Sequence, residues 1–161
     1  MNSILKIPTE IFFGVNCLDD FKLSSDKKAV IIVSRSIEND LNFLKITNYL
    51  NKNKNQYQIL NKSNSSSEPE SDDISDINNR IEGDVDLVIG VGGGSVLDIA
   101  KFIAVIKKSG SHPENYDLNK TPVLDALPLI LIPSTCGSGS EITQYAVAAN
   151  SKTKRKFTIS S

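Results

Sequence analysis

An apolar run, Leu87-Val88-Ile89, passes into Gly92-Gly93-Gly94, and a helical pattern starts at once at Ser95. This strand-to-helix switch constrains the fold more than any other feature of the chain. Bare backbone at such a junction lets a bulky anion approach the main chain. The helix behind it begins with unpaired N–H groups and the positive end of its dipole. Together they predict a phosphate site built from backbone.

The other segments fit around that switch. Ala29-Val30-Ile31-Ile32-Val33 and Leu129-Ile130-Leu131-Ile132, the latter ended by Pro133, are continuous apolar runs of the kind found in strands buried on both faces. Tyr57 to Leu60 is a weaker strand, and Ile11-Phe12-Phe13 reads as a short strand ending at Gly14. Asp40 to Asn51 carries a helical stripe of Leu41, Leu44, Tyr49 and Leu50, with Asp40 placed as N-cap. Ser71 to Ile81 carries Ile74, Ile77 and Ile81 behind an acidic start, and Ser95 to Ile106 is an apolar helix. Tyr145 to Ala149 and Lys156 to Ile159 predict a hairpin. Asn61 to Pro69 reads as a polar loop and Asn115 to Leu127 as irregular. Strands alternating with helices predict an α/β fold, a Rossmann-like parallel sheet with helices on both faces plus a small β-hairpin. Ligands in such folds sit beyond the carboxyl ends of the strands. Counting Ile11–Phe13, the glycine turn follows the fourth strand.

Composition narrows the classes. A chain of 161 residues fits one domain or a part of something larger. A net charge of −1 gives no case for nucleic acid or an anionic membrane surface. No apolar run has the length of a membrane span or a signal peptide, so the expected location is the cytoplasm. Cys17 and Cys136 are far apart, which favours reduced thiols. His112, beside Pro113, is the one histidine and reads as a solvated loop residue. No residues are spaced as a metal-ligand set.

The glycine turn does not follow the G-x-G-x-x-G spacing of the Rossmann fingerprint. A structural alternative is a tight turn with Ser95 and Asp98 as a capping box. A second loop, Ser134-Thr135-Cys136-Gly137-Ser138-Gly139-Ser140, also follows a strand, and its hydroxyls and bare backbone suit ribose and phosphate oxygens. Its alternative is a flexible Ser/Gly loop.

Taken together, the segments Gly92-Gly93-Gly94-Ser95-Val96-Leu97-Asp98-Ile99-Ala100-Lys101 and Ile132-Pro133-Ser134-Thr135-Cys136-Gly137-Ser138-Gly139-Ser140-Glu141-Ile142-Thr143 resemble two motifs of the iron-containing (group III) alcohol dehydrogenase family. Ser134 and Ser138 stand where the family pattern has Thr, which keeps the hydroxyl. The resemblance covers essentially the whole chain. It implies a dehydroquinate-synthase-like N-terminal domain for residues 1–161, with Gly92, Gly93, Gly94 and Ser95 gripping the pyrophosphate of NAD(P). It further implies Asp98 on the nicotinamide side of the cleft, Thr135, Ser138 and Ser140 at the nucleotide, and Lys156 approaching a ribose. After its second strand the family often has Thr-Asp. Here the pair is Ser34-Arg35, and an arginine attracts the 2′-phosphate of NADP where an aspartate repels it. An exposed, merely solvated Arg35 is the alternative.

In that family an all-helical domain supplies an Asp and three His to a catalytic iron or other divalent metal such as zinc. The resemblance places that domain beyond Ser161, so the chain is expected to carry no catalytic residue, to be inactive alone and to bind NAD(P) weakly or not at all alone. The function it implies is hydride transfer between NAD(P) and a small alcohol or aldehyde. A glycerol-dehydrogenase-like or dehydroquinate-synthase-like enzyme and a non-catalytic nucleotide-binding module are the competing readings. A homodimer is expected, formed through an uncovered 95–106 helix or the edge of the Ile11–Phe13 strand.

Overall fold

A computed structural model describes residues 9–19, 21–62, 68–111 and 125–160. His112, residues 63–67 of the polar loop and residues 115–124 of the irregular segment lie outside the described residues. Four parallel strands form the sheet: β1 (Lys28–Val33), β2 (Gln56–Asn61), β3 (Leu87–Gly92) and β4 (Leu129–Pro133), in the order β2-β1-β3-β4. The connections are α1 (Leu41–Lys52), α2 (Ser71–Arg80) and α3 (Gly94–Ser109), and an antiparallel hairpin of β5 (Tyr145–Ala149) and β6 (Lys156–Ser160) follows. The expected α/β class, the helices on both faces and the hairpin are all present.

Strand alternation divides the core into two layers. Ala29, Ile31 and Val33 of β1 join Leu87, Ile89 and Val91 of β3 against Phe43, Ile46 and Leu50 of α1. On the other face Val30, Ile32 and Val88 meet Ile74 and Ile77 of α2, the apolar side of α3, and Ala146, Ala148 and Ile159 of the hairpin. Gly90 makes the second layer possible, because a Cβ there would stand 2.8 Å from Ala100 Cβ. Without that side chain α3 settles directly on β3.

Asp40 caps α1 as expected, its Oδ1 accepting from Asn42 N at 2.7 Å. The buried stripe of α1 is Phe43, Ile46, Thr47 and Leu50, however, and Leu41 is 76% exposed. Two stripes of helical spacing overlap in this segment, and the one bearing Phe43 and Ile46 faces the sheet. Tyr49 lies at the margin, its hydroxyl bonded to Leu23 N and Phe21 O at 2.8 Å each.

Three other expectations are corrected. Ile11–Phe13 is not a strand: no described strand pairs with it, and Phe13 is 97% exposed. An apolar triplet carries the period of a strand but not the partner that a ladder needs. The glycine turn therefore follows the third strand. Second, β4 is only half buried, because it forms one edge of the sheet. Third, α3 is not uncovered. Ten of its residues, from Val96 to Ile106, are buried, with the hairpin supplying the cover. Phe102 meets Phe157 edge-on, ring centroids 5.4 Å apart.

Candidate functional site

The strand order reverses between β1 and β3, and the carboxyl ends of these two strands lie side by side, Val33 opposite Val91. Such a reversal opens a crevice in doubly wound sheets. Ser34 N extends the pairing to Val91 O at 3.1 Å. Gly92 abuts Ser34 so closely that a Cβ on it would overlap the serine Oγ. Gly93 is the N-cap of α3 and offers no side chain to the helix start, while its carbonyl accepts from Val96 N and Leu97 N at 2.9 and 3.2 Å. Among the described residues no acceptor faces the N–H groups of Gly93, Gly94 and Ser95, and all three residues are partly exposed. The capping box of Ser95 and Asp98, the alternative reading of this turn, is not formed, because Gly93 occupies the cap and Asp98 is engaged elsewhere.

Strand β4 brings the second loop to the same place. Ser134 N donates to Gly92 O at 2.9 Å. A Cβ on Gly93 would lie 3.2 Å from Thr135 Oγ1, and one on Gly94 would lie 2.7 Å from Ser138 Cβ. The glycine turn is therefore lined by two hydroxyl side chains. Gly137 and Gly139 take left-handed φ values of 103° and 63°, which glycine adopts at low cost and so permits the tight path between the hydroxyls.

Beneath these exposed residues lies a polar knot. Ser140 is buried, and its hydroxyl donates to Asp98 Oδ1 at 2.5 Å. The other Asp98 oxygen accepts from Val147 N at 3.2 Å, leaving that side chain 17% exposed. Lys101, 2% exposed, donates to Tyr145 O at 2.7 Å, Ser140 Oγ at 3.2 Å and Thr143 Oγ1 at 3.4 Å. Its Nζ lies 3.8 Å from Asp98 Oδ1. Burial pushes the lysine below its ordinary pKa, and the charges of Asp98 and Glu141 pull it partly back. Lys101 stands in the first sequence motif, yet the sequence reading gave it no role. The available signal was a lone cation on an apolar helix, three residues after an aspartate.

The expected site residues thus fall into three groups. Gly92, Gly93, Gly94, Ser95, Thr135 and Ser138 converge at the crevice, with Arg35 exposed on the turn after β1 beside Ser34. Asp98 and Ser140 turn inward. Lys156, 60% exposed, pairs with Glu68 at 2.7 Å. Both cysteines are free thiols. Among the described residues no three His, Cys, Asp or Glu side chains converge as a metal site, and no helix is long and apolar enough to cross a membrane.

A glycine turn at the reversal point of a parallel sheet, faced by a hydroxyl loop, defines a Rossmann-like α/β domain. The family model for iron-containing alcohol dehydrogenase matches residues 8–161, and the chain belongs to that family. It is 49% identical over 76 residues to long-chain-alcohol dehydrogenase 1 of Geobacillus thermodenitrificans, which covers 45% of this chain and 19% of that protein. It is 30% identical over 162 residues to NADH-dependent butanol dehydrogenase A of Clostridium acetobutylicum, covering 94% of this chain and 40% of that protein. The crystal structure of an iron-containing alcohol dehydrogenase from Thermotoga maritima superposes with a TM-score of 0.78 at 28% identity, over 97% of this chain and 45% of that one. Sulfoacetaldehyde reductase from Bifidobacterium kashiwanohense, solved in complex with NAD+, shares the fold over 86% of this chain and 36% of its own, with a TM-score of 0.69 at 21% identity. The chain thus spans well under half the length of these curated relatives.

Proposed function

We propose that this chain is the nucleotide-binding part of a metal-dependent alcohol dehydrogenase, which moves hydride between NAD(P) and a small alcohol or aldehyde. The observation that carries this reading is the meeting of Gly94 and Ser138 at the crevice beside N–H groups that have no acceptor among the described residues. The amides of Gly93, Gly94 and Ser95, backed by the α3 dipole, would hold the diphosphate. The absence of side chains at Gly92 and Gly93 keeps the backbone accessible to it. Thr135 and Ser138 would donate hydroxyl hydrogen bonds to phosphate or ribose oxygens. Asp98 and Ser140 serve the nucleotide through the loop that they anchor, and Lys156 would reach a ribose on leaving Glu68. Arg35, beside the crevice, supports NADP as the preferred form, since its guanidinium suits a 2′-phosphate. When bound, the nicotinamide ring supplies or accepts the hydride. The described residues hold no group of three His, Cys, Asp or Glu side chains for the family's metal.

The test is an amide NMR titration of this chain with NADPH and with NADH. Saturable shifts at Gly93, Gly94, Ser95, Thr135 and Ser138 in the millimolar range or tighter are expected. Absence of shifts at these amides up to the solubility limit of either nucleotide would sink the reading. Self-association is proposed through the exposed Phe13 and Val15. A concentration-independent monomer mass in light scattering would contradict it.

A further inference from the structure

We infer that Lys101 is a positioning residue, whose buried ammonium latches the second loop onto α3 and thereby sets where Thr135 and Ser138 stand over the glycine turn. What the turn holds rests on the nucleotide-binding reading above; the latch rests on geometry alone. An ammonium carries three donors. Here their acceptors are Tyr145 O at 2.7 Å, Ser140 Oγ at 3.2 Å and Thr143 Oγ1 at 3.4 Å, all in one six-residue stretch of the chain. Asp98 stands 3.8 Å from the same nitrogen and closes the knot through Ser140 and Val147 N. The side chain is 2% exposed, so it reaches neither solvent nor a ligand in the crevice.

Burying a charge is costly, and an apolar side chain would fill the same space on α3. The charge gains its compensation from the loop it fastens. The path from latch to site is short: Ser140 N donates to Ser138 Oγ at 3.3 Å, and Ser138 Cβ is the atom set against Gly94. Removing the ammonium strips that stretch of its shared donor and frees Ser138 and Thr135 to swing away from the turn.

Lys101→Met keeps the length and apolar stem of the side chain and removes the charge. Hydrogen exchange is read in the nucleotide-free chain at the amides of Ile142, Thr143 and Val147, with those of β1 and β3 as internal reference. Roughly tenfold or greater acceleration at the loop amides alone is expected, the size that follows from losing hydrogen bonds to a buried charge. NADPH affinity, from the NMR titration, is expected to fall by about tenfold, which a merely stabilising lysine would not cause. Rescue comes from Lys101→Cys alkylated with bromoethylamine in a chain with Cys17→Ser and Cys136→Ser, which restores an ammonium at lysine length. Unchanged loop exchange would overturn the latch, as would faster exchange with wild-type affinity. If Lys101→Met does not fold, Thr143→Val, which removes one acceptor at the rim, decides by the same two readouts. If the wild-type chain shows no nucleotide binding, the dehydrogenase reading fails and the exchange arm alone judges the latch.

Discussion

Ser138 Cβ lies 2.7 Å from the point where a side chain on Gly94 would begin, so the hydroxyl loop and the glycine turn occupy one contact that only a glycine permits. A methyl group at 94 cannot be absorbed by a flexible tip, because the opposing atom is itself a Cβ. Gly94→Ala is expected to displace the 134–140 loop and weaken NADPH binding by at least roughly tenfold. The overpacking also costs about 1–3 kcal/mol of stability. Paired NMR titration and urea unfolding check both effects, and a Gly94→Ala chain with wild-type affinity would refute the close-contact model of the site.

Arg35 sits on the turn after β1, and the acidic Glu38 three residues on is held by Asn61 Nδ2 at 2.7 Å. On the nucleotide-binding reading, the Arg35 guanidinium is the group that would meet a 2′-phosphate. Arg35→Ala is expected to weaken NADPH by roughly tenfold, the value of one charge-assisted hydrogen bond, and to leave NADH within about twofold. Equal losses for the two nucleotides would remove the case for NADP.

Phe102 packs its ring edge-on to Phe157, joining α3 to the hairpin. Truncating a fully buried aromatic leaves a cavity that its neighbours fill only in part. Phe102→Ala is expected to lower the unfolding free energy by about 3–5 kcal/mol, measured by urea denaturation. A loss below about 1 kcal/mol would mean that the hairpin is not a structural part of the core.

Lys101 carries a pH signature of defined sign. Burial is the largest influence on it and lowers its folded pKa below the ordinary lysine value. Below the lowered folded value both folded and unfolded chains hold the proton, and the cost of burial is fully present. As the pH rises through the lowered folded value the native chain sheds the proton first, so stability gains with pH until the unfolded lysine also titrates near 10.4. The difference in urea midpoint between wild type and Lys101→Met is therefore expected to move in favour of wild type from pH 8 towards pH 10. A pH-independent difference would show that the lysine is not depressed.

Most of the fold was legible because its signals are local. Val30–Val33 and Leu87–Ile89 are apolar at every position, as strands covered on both faces must be. Ile74 and Ile77 carry the buried stripe of α2 with nothing competing beside them. The failures required knowledge of partners. Ile11–Phe13 has the composition of a strand and, among the described residues, no strand beside it; Leu41 and Leu44 have helical spacing on the side of α1 turned to solvent. In the site, the glycines and hydroxyls were readable as a chemistry. Which hydroxyls face outward was not, since Ser138 and Ser140 differ only in which neighbour they meet. Lys101 escaped notice because a charged residue is ordinarily assigned to the solvent face.

The depth at which α3 is packed decides what can move. Its buried residues between Val96 and Ile106 are packed between the sheet and the hairpin, which holds the amides at its start in place. On the nucleotide-binding reading, any adjustment to the bound dinucleotide would then fall to the exposed stretch from Ser134 to Ser138. On that same reading, the packed side of the crevice would set where a diphosphate rests, and the looped side how readily it leaves.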